Sequence, residues 1–270
     1  NQIGFADYYS DFGWYGTLSD INNVSMYKLK MLIEDNIVLT GMPVNVSETV
    51  LELEEGWSWI GYTPQVTYDI NLALENIPDG NAQYIKSQAG YSDYYSGFGW
   101  FGTLSDMSPF LGYQLNLDFE TTFTYHDDGL FSGSNSSVSG LSKQSDYDEL
   151  DEDVFNLNIH DYEFNGSATI ALYDKDERIY SDDYLLAAFD GDQCVGYAKG
   201  LALPLKLDPN NTMIFPLMVY GNEDNVPLNL KGYEISTGIF HEIDKKLIFT
   251  QDMALGNGLD PVIMNMDPQP

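Results

Sequence analysis

The sequence repeats itself within its first half, so one local structure is expected to form twice. Residues 2–20 (QIGFADYYSDFGWYGTLSD) and 88–106 (QAGYSDYYSGFGWFGTLSD) are identical at fourteen of nineteen positions, at an offset of 86 residues. A weaker match continues as far as residues 31 and 117. We call residues 2–31 the first copy and residues 88–117 the second copy. Repetition of this kind predicts a duplicated module.

Local patterns in and around the two copies predict short β-strands. Each copy contains a glycine-punctuated motif, FGWYG or FGWFG, which is typical of a turn that leads into a strand. Residues 27–31 and 113–117 alternate apolar and polar side chains, as half-buried strands do. The same alternation in residues 56–62 predicts a strand with Trp57 and Trp59 on one face.

A strand pattern and a helix pattern precede the second copy, and no counterpart precedes the first. Residues 66–77 place five apolar side chains on one helical face and predict a short amphipathic helix. Because the first residue of the sequence aligns with Ser87, we expect it to fall inside a module and the first copy to be N-terminally incomplete. The alternative is that residues 1–64 form a complete unit, in which the Trp57 strand closes a sheet begun by residues 1–31.

The second half has a different pattern. Residues 126–153 are Gly- and Ser-rich and then acidic, which predicts a flexible linker that ends in a solvated acidic loop or, alternatively, in a cation-binding segment. Short alternating segments separated by turn residues follow, and this pattern is typical of a β-sandwich. The predicted strands are 154–159, 167–173, 184–190, 193–198, 213–220, 228–235, 239–243 and 245–250.

The predicted fold class is therefore mainly β: two related β-rich repeat units with one short helix, followed by an Ig-like β-sandwich. The predicted boundaries are 1–55 for the first repeat unit, 56–125 for the second, 126–153 for the linker and 154–270 for the β-sandwich domain.

The charge balance limits the partners that the chain can have. Eleven Lys and Arg against 42 Asp and Glu give a formal net charge of −31, which excludes nucleic acid as the main partner because phosphates would be repelled. No apolar run is long enough to span a bilayer, so no membrane insertion is expected. Such a charge suits saline water, where ions screen self-repulsion, and favours an extracellular location. Five Asn-x-Ser/Thr motifs make candidate glycosylation sites of Asn23, Asn45, Asn135, Asn165 and Asn210.

The sequence contains no convergent set of catalytic residues. His126, His160 and His241 are far apart, and there is no nucleophile elbow or phosphate-binding loop. Cys194 is the only cysteine and is expected to be a buried thiol, with no disulfide within the chain. We therefore expect a protein that is not an enzyme and requires no cofactor.

Two kinds of binding residue remain as candidates. Two acidic turns could bind Ca²⁺, although neither fits the EF-hand loop and solvated turns are the simpler interpretation; their residues are Asp174, Asp176, Asp190 and Asp192. Aromatic side chains could form a platform that stacks on sugars, although small modules also need aromatics for their cores. The candidate stacking residues are Trp14, Trp57, Trp59 and Trp100.

Several motifs resemble modules of a known kind. The segments GWSWIGYTP, YIKSQAGYSDYYSGFGWFGTLSDM and GYQLNLDFETTFTY resemble the tandem GW-type repeat module of large secreted surface proteins of aquatic microbes. The segments DDYLLAAFDGDQCVG, FPLMVYGN and YEISTG resemble the Ig-like β-sandwich module that follows those repeats. The resemblance implies extracellular display in adhesion, surface layers or fibres, and it implies no reaction.

Together these patterns favour a non-enzymatic extracellular structural protein. It would be a building block of a surface fibre, filament or layer and would assemble with other copies of itself through β-strand contacts between modules. The alternative is a glycan-binding adhesin module that uses exposed Trp and Tyr, and a weaker alternative is an accessory domain of a secreted hydrolase. Buried tryptophans would favour the structural function, and tryptophans on a flat exposed face would favour the adhesin.

Overall fold

Strands account for 46% and helices for 4% of the residues that the computed structural model describes, which confirms the predicted mainly β fold class. The structure describes residues 1–33, 35, 41–129, 155–175 and 177–266. Contacts divide the chain into two units, Asn1–Gln144 and Ser145–Pro270. Within the described ranges, no helix is long and apolar enough to cross a membrane.

The first unit consists of short strands and one helical turn. Its elements are β1 (Ala6–Tyr9), β2 (Gly13–Gly16), a 3₁₀ turn (Val46–Glu48), β3 (Leu51–Leu53), β4 (Gly56–Gly61), β5 (Tyr68–Asp69), α1 (Ile70–Ala73), β6 (Ala82–Lys86), β7 (Tyr91–Tyr95), β8 (Gly99–Gly102), β9 (Asp106–Met107), β10 (Gly112–Leu117) and β11 (Thr121–Phe123). Its main sheet has the strand order β4-β10-β6-β7-β8. The pairs β1-β2, β3-β11 and β5-β9 form two-stranded sheets.

The helix is shorter than the predicted 66–77. Residues Tyr68–Asp69 pair with β9 as a strand, so the helix can begin only at Ile70. The Asp69 carboxylate caps it by accepting a hydrogen bond from the Asn71 amide at 2.9 Å. The apolar pattern was nevertheless informative, because Ile70, Ala73, Leu74 and Ile77 are all buried in the core of this unit.

The two copies form the same hairpin. The register of β1 on β2 (Asp7 opposite Tyr15, Tyr8 opposite Trp14) is repeated by β7 on β8 at the same offset of 86. An edge-to-face pair of Tyr8 and Trp14, with ring centroids 5.4 Å apart, recurs as Tyr94 and Trp100 at 5.3 Å. The sequence repeat is therefore also a structural repeat.

Flanking strands distinguish the two copies. In the second copy β7 pairs with β6, and β10 lies between β4 and β6. In the first copy β1 pairs only with β2 among the described residues. The prediction of a strand over residues 27–31 is therefore wrong. The counterpart of this segment, β10, is hydrogen-bonded to a strand on each side, whereas residues 27–31 pair with no strand.

The structure shows which sheet contains the Trp57 strand. Strand β4 pairs with β10 along its whole length, so it belongs to the sheet of the second copy. Its other edge accepts contacts from the first copy: the Gln2 carboxamide bonds the Trp57 oxygen and the Trp59 amide, and Ser25 forms a bridge with Ile60. The first copy thus borders β4 without contributing a full strand.

Strand β3 also belongs with the second copy. It pairs with β11, and Leu51 and Leu53 lie in the core that contains Trp100. The second repeat unit therefore begins ahead of residue 56, where the sequence pattern places its start. The first residues of the predicted linker also remain with this unit, since the His126 amide donates to the Ala73 oxygen. Residues 130–153 of that linker lie outside the described residues.

The second unit is a two-sheet β structure. Its elements are a 3₁₀ turn (Ile159–Asp161), β12 (Phe164–Asp174), β13 (Glu177–Arg178), β14 (Tyr184–Asp190), β15 (Gln193–Lys199), β16 (Leu201–Ala202), β17 (Met213–Gly221), β18 (Val226–Glu234), β19 (Ile239–Glu242), β20 (Leu247–Phe249), β21 (Ala254–Leu255) and β22 (Val262–Met266). One sheet has the order β13-β12-β17-β16, with β21 and β22 on β12, and the other has the order β15-β14-β18-β19, with β20 on β18.

The inner faces of the two sheets form one apolar core, as expected of a sandwich-like fold. Leu172, Phe215 and Leu217 of the first sheet pack with Leu186 and Leu230 of the second. Seven predicted strands correspond to β12, β14, β15, β17, β18, β19 and β20.

One predicted strand of this unit is not formed. The described part of the segment 154–159 is irregular. Its Phe155 is buried and stacks on Tyr197, with ring centroids 4.9 Å apart, so the side chain packs against the sheet although the backbone joins no ladder.

Close strand approach in both hairpins predicts a strong effect of a glycine substitution. A Cβ on Gly102 would lie 2.2 Å from the Tyr91 oxygen, whereas nothing lies within 4 Å of a Cβ on Gly41. We expect Gly102→Ala to lower the free energy of unfolding of the first unit by about 1–3 kcal/mol and Gly41→Ala to leave it nearly unchanged. Urea titration followed by tryptophan fluorescence measures this unit, since all four tryptophans lie in it. Equal midpoints for the two variants would contradict the prediction.

Candidate interaction surface

The first copy exposes a group of aromatic side chains that the repeat would be expected to bury. We call this group the first-copy surface. Its exposed fractions are 63% for Phe5, 63% for Tyr8, 50% for Tyr9, 87% for Phe12, 60% for Trp14 and 76% for Tyr15. Tyr8 and Trp14 lie opposite each other on one face of the hairpin, and Tyr15 lies on the other face. Groups of exposed aromatics mark interaction sites on soluble proteins.

The second copy shows what covers the equivalent surface. Trp100, the counterpart of Trp14, is only 5% exposed. Its backbone amide donates to the Asn71 side-chain oxygen at 2.7 Å, and its ring packs in the core with Leu74 and Ile77. The Tyr94 hydroxyl donates to the Asp79 carboxylate at 2.5 Å. The segment β5–α1–β6 therefore covers the Tyr94–Trp100 face of the hairpin.

Trp57 and Trp59 lie on one face of β4, as predicted, and both are half-buried. The Lys86 ammonium lies 5.9 Å from the Trp57 ring centroid, and the Lys28 ammonium lies 5.0 Å from that of Trp59. Both distances fit cation–π contacts. Cations thus lie over the ring faces that sugar stacking would need, and Trp14 alone of the four candidate stacking residues is largely exposed.

The acidic turns of the second unit are separated in space. Asp190 ends β14 and interacts with Tyr162, whereas Asp174 ends β12 and interacts with Tyr184 at the beginning of β14. Seven strand residues lie from Tyr184 to Asp190, so the two turns are at opposite ends of this strand, about 20 Å apart. Asp176 lies outside the described residues. Asp174 therefore does not converge with Asp190 on one cation site.

Within the described ranges, no group of three or more His, Cys, Asp or Glu side chains could hold a metal ion. Each acidic turn by itself provides too few ligands to complete a Ca²⁺ shell. Binding of Ca²⁺ by these turns thus stays a prediction, and water would have to supply most of its oxygens.

One polar cluster in the first unit could not be found in the sequence. His126 Nδ1 lies 2.6 Å from a Glu75 carboxylate oxygen, and the His126 ring packs edge-on against Tyr68. Burial and the nearby Asp128 carboxylate raise the pKa of Tyr68 to about 12. Tyr68, His126 and Asp128 line a cleft of about 310 Å³. Because His126 and Glu75 are 51 residues apart, no local motif links them, and their contact ties residue 126 to the segment after α1.

The remaining predicted residues occupy ordinary positions. Cys194 is buried and unpaired, as expected, and burial raises the pKa of its thiol to about 11, so the thiol is unreactive at neutral pH. Asn23, Asn45 and Asn210 are exposed. Asn165 is buried in β12, unlike the surface loop that a glycosylation motif favours. Asn135 lies outside the described residues.

Comparisons of the chain with protein-family models, with curated proteins and with solved structures found no match. Its geometry and its internal repeat therefore carry the functional argument.

Burial of a carboxylate in the second copy makes the stability pH-dependent. Burial raises the pKa of Asp93 from 3.8 to about 7, whereas its counterpart Asp7 is exposed. A raised pKa in the folded state means that the native protein binds a proton that the unfolded chain releases. Stability should therefore rise as the pH falls from about 8 to about 5, by up to about 1 kcal/mol per pH unit from this group.

Urea unfolding of the wild type, Asp93→Asn and Asp7→Asn at several pH values tests this expectation. Asp93→Asn should flatten the pH dependence between about pH 5 and pH 8. Asp7→Asn, the matched change in the first copy, should preserve it. If Asp93→Asn and the wild type had parallel pH profiles, the buried carboxylate would not be the cause.

The net charge of −31 predicts that ions stabilise the fold. Screening weakens repulsion between exposed carboxylates, and an ion that binds only the native state adds to this effect. We expect the melting temperature to rise by about 5 °C or more between low salt and about 0.5 M NaCl. Thermal melts in NaCl, and in CaCl₂ at matched ionic strength, separate screening from Ca²⁺ binding. A melting temperature that ignores both salts would refute the prediction.

Proposed function

We propose that the protein is a non-enzymatic, extracellular structural protein that forms part of a surface fibre, filament or layer. Its modules assemble with other copies of the chain through β-strand contacts. The difference between the two hairpins carries this proposal. The same sequence motif buries its tryptophan in the second copy and exposes it in the first, so the first copy has a surface built for protein contact.

The edge of β1 supports assembly through strands rather than through side chains alone. Its counterpart β7 pairs on one side with β8 and on the other with β6. Strand β1 has only β2 as a partner among the described residues. A strand edge with free backbone groups recruits further strands, and repeated head-to-tail addition gives filaments when the rotation does not close a ring.

Charge and composition support the extracellular location. A net charge of −31 keeps such a polymer soluble in saline water. The repeat also resembles modules of secreted surface proteins, whose display requires no catalytic residues.

A glycan-binding adhesin is the second candidate, and exposure of the first-copy surface favours it. Tyr8 and Trp14 are exposed on one face of the hairpin and could stack on sugar rings. Trp57, Trp59 and Trp100 do not extend this surface as a flat platform, because they are half-buried beneath lysines or lie in the core. The structural function therefore has more support.

Assembly of the purified chain tests the proposal. We expect light scattering to show particles that grow with protein concentration and with salt, and electron micrographs to show linear arrays. Trp14→Ser should reduce the scattering at least about tenfold, because it removes the central exposed ring of the first-copy surface. Tyr180→Ser removes an exposed aromatic of the second unit as a matched control and should not reduce it.

A chain that remains monomeric at high concentration and in high salt would contradict this function. If that monomer bound polysaccharides in a manner that depended on Trp14, the adhesin would replace the structural protein as the better explanation.

A further inference from the structure

The duplicated hairpin identifies what would bind the first-copy surface. In the second copy the segment from Tyr68 to Lys86 contains β5, α1 and β6. It makes three separate contacts with the hairpin and with β9, which follows it. Strand β6 pairs with the outer edge of β7, the Asn71 side chain bonds the backbone of Trp100, and β5 pairs with β9. All three contacts are made to backbone atoms, so the side chains of the hairpin do not have to change to accept a similar segment.

The first copy offers the same three positions. The residues of β7 that pair with β6 correspond to Phe5, Ala6 and Asp7. The backbone amide of Trp14 corresponds to that of Trp100, which donates to Asn71. Asp20 and Ile21 correspond to β9, and the Ile21 side chain is 69% exposed. Each position is thus present in the sequence and lacks, among the described residues, the strand or turn that fills it in the second copy.

Residues that contact the covering segment are retained in the first copy. Tyr94 and Trp100 recur as Tyr8 and Trp14, with the same edge-to-face geometry. Gly99 also recurs as a glycine, Gly13. A side chain at position 99 would exclude the Asn71 carboxamide, because a Cβ on Gly99 would lie 2.2 Å from the Asn71 side-chain oxygen.

The corresponding position of the first copy, Gly13, has no atom within 4 Å of such a Cβ. Both glycines have positive φ, +78° for Gly13 and +108° for Gly99. The site for an Asn71-like carboxamide is therefore preserved in the first copy and open.

We propose that the first copy binds, by strand addition to β1, a polypeptide segment with the pattern of residues 68–86. The segment comes from a module other than the second copy, whose own residues 68–86 already cover its hairpin. This segment combines a short strand, an Asx-capped helical turn whose Asn carboxamide reaches the tryptophan backbone, and an apolar strand. The inference deepens the proposed function and rests on its premise that modules assemble through strands. It names the site, the edge of β1 with the Tyr8–Trp14 face, and it names the occupant.

Strand addition of this kind derives its affinity from main-chain hydrogen bonds and its specificity from side-chain pockets. Here the ladder on β1 supplies the first contribution. The Tyr8–Trp14 face, which would receive counterparts of Leu74 and Ile77, supplies the second. Neither contribution requires a charged partner, which suits a chain with a net charge of −31.

A synthetic peptide with the sequence of residues 66–86 tests the proposal on the full chain, at a concentration too low for assembly. We expect one peptide to bind per chain, with Kd in the micromolar range and with a blue shift in the fluorescence of Trp14. Hydrogen exchange should show new protection of the amides in Ala6–Tyr9. Peptides with Asn71→Ala or Ile85→Pro should bind at least about tenfold more weakly, because they lose the carboxamide contact or break the ladder.

Matched variants of the chain locate the site. Trp14→Ala should weaken peptide binding at least about tenfold. Tyr180→Ala, which removes an exposed ring of the second unit outside the first-copy surface, should change it by less than about twofold. Undiminished binding to Trp14→Ala would mean that the peptide replaces residues 66–86 in the second copy, and the proposal would fall.

Two further outcomes would overturn the inference. One is the absence of binding at about 1 mM peptide. The other is self-association through the first-copy surface that the peptide does not inhibit, which would make a second copy of the whole chain the occupant. The experiments test the inference and the proposed function separately. A chain that forms filaments without binding the peptide refutes only this inference. A chain that binds the peptide but never assembles refutes only the proposed function.

Discussion

Backbone pairing on both sides of a strand decides which parts of the first unit become buried. Strand β10 is held between β4 and β6, and its Tyr113, Leu115 and Leu117 are almost fully buried. The counterparts of the last two residues in the first copy, Leu29 and Met31, are 48% and 45% exposed, because no ladder aligns them. The hydrophobic pattern is similar in both places. What differs is the supply of hydrogen-bond partners, without which an apolar alternation does not become a strand.

Sequence patterns were informative wherever the determining contacts are local. The repeat predicts two hairpins of one register, and the alternation over residues 184–190 coincides with β14. Patterns failed where the partner is distant. Strand β22 pairs in parallel with β12, almost one hundred residues earlier, and no local signal announces that pairing. The helix is shorter than the predicted 66–77 for the same reason, because Tyr68–Asp69 pair with β9 as a strand.

The candidate site was only partly readable from the sequence. Alternation correctly placed Trp57 and Trp59 on one face, but it could not show that Lys28 and Lys86 lie over their rings. The similarity of the two motifs likewise gave no reason to expect Trp14 to be exposed and Trp100 buried. Burial depends on Asn71, Leu74 and Ile77, which reach only the second copy. The separation of Asp174 from Asp190 similarly follows from strand directions, which the acidic composition of their turns does not determine.

Local hydrogen bonds explain how the first hairpin keeps its shape without its flanking strands. The Leu18 amide donates to the Phe5 oxygen, the Asn1 side chain accepts from the Gly4 amide, and the Tyr27 hydroxyl accepts from the Asn22 amide, each at 2.9 Å. The Leu104, Gly90 and Ser108 amides donate in the same way in the second copy. These bonds fix the hairpin before any partner arrives. When a partner strand binds, most of the loss of conformational entropy is therefore that of the partner. The edge of β1 is already ordered, so binding to it costs less entropy than binding to a disordered segment would.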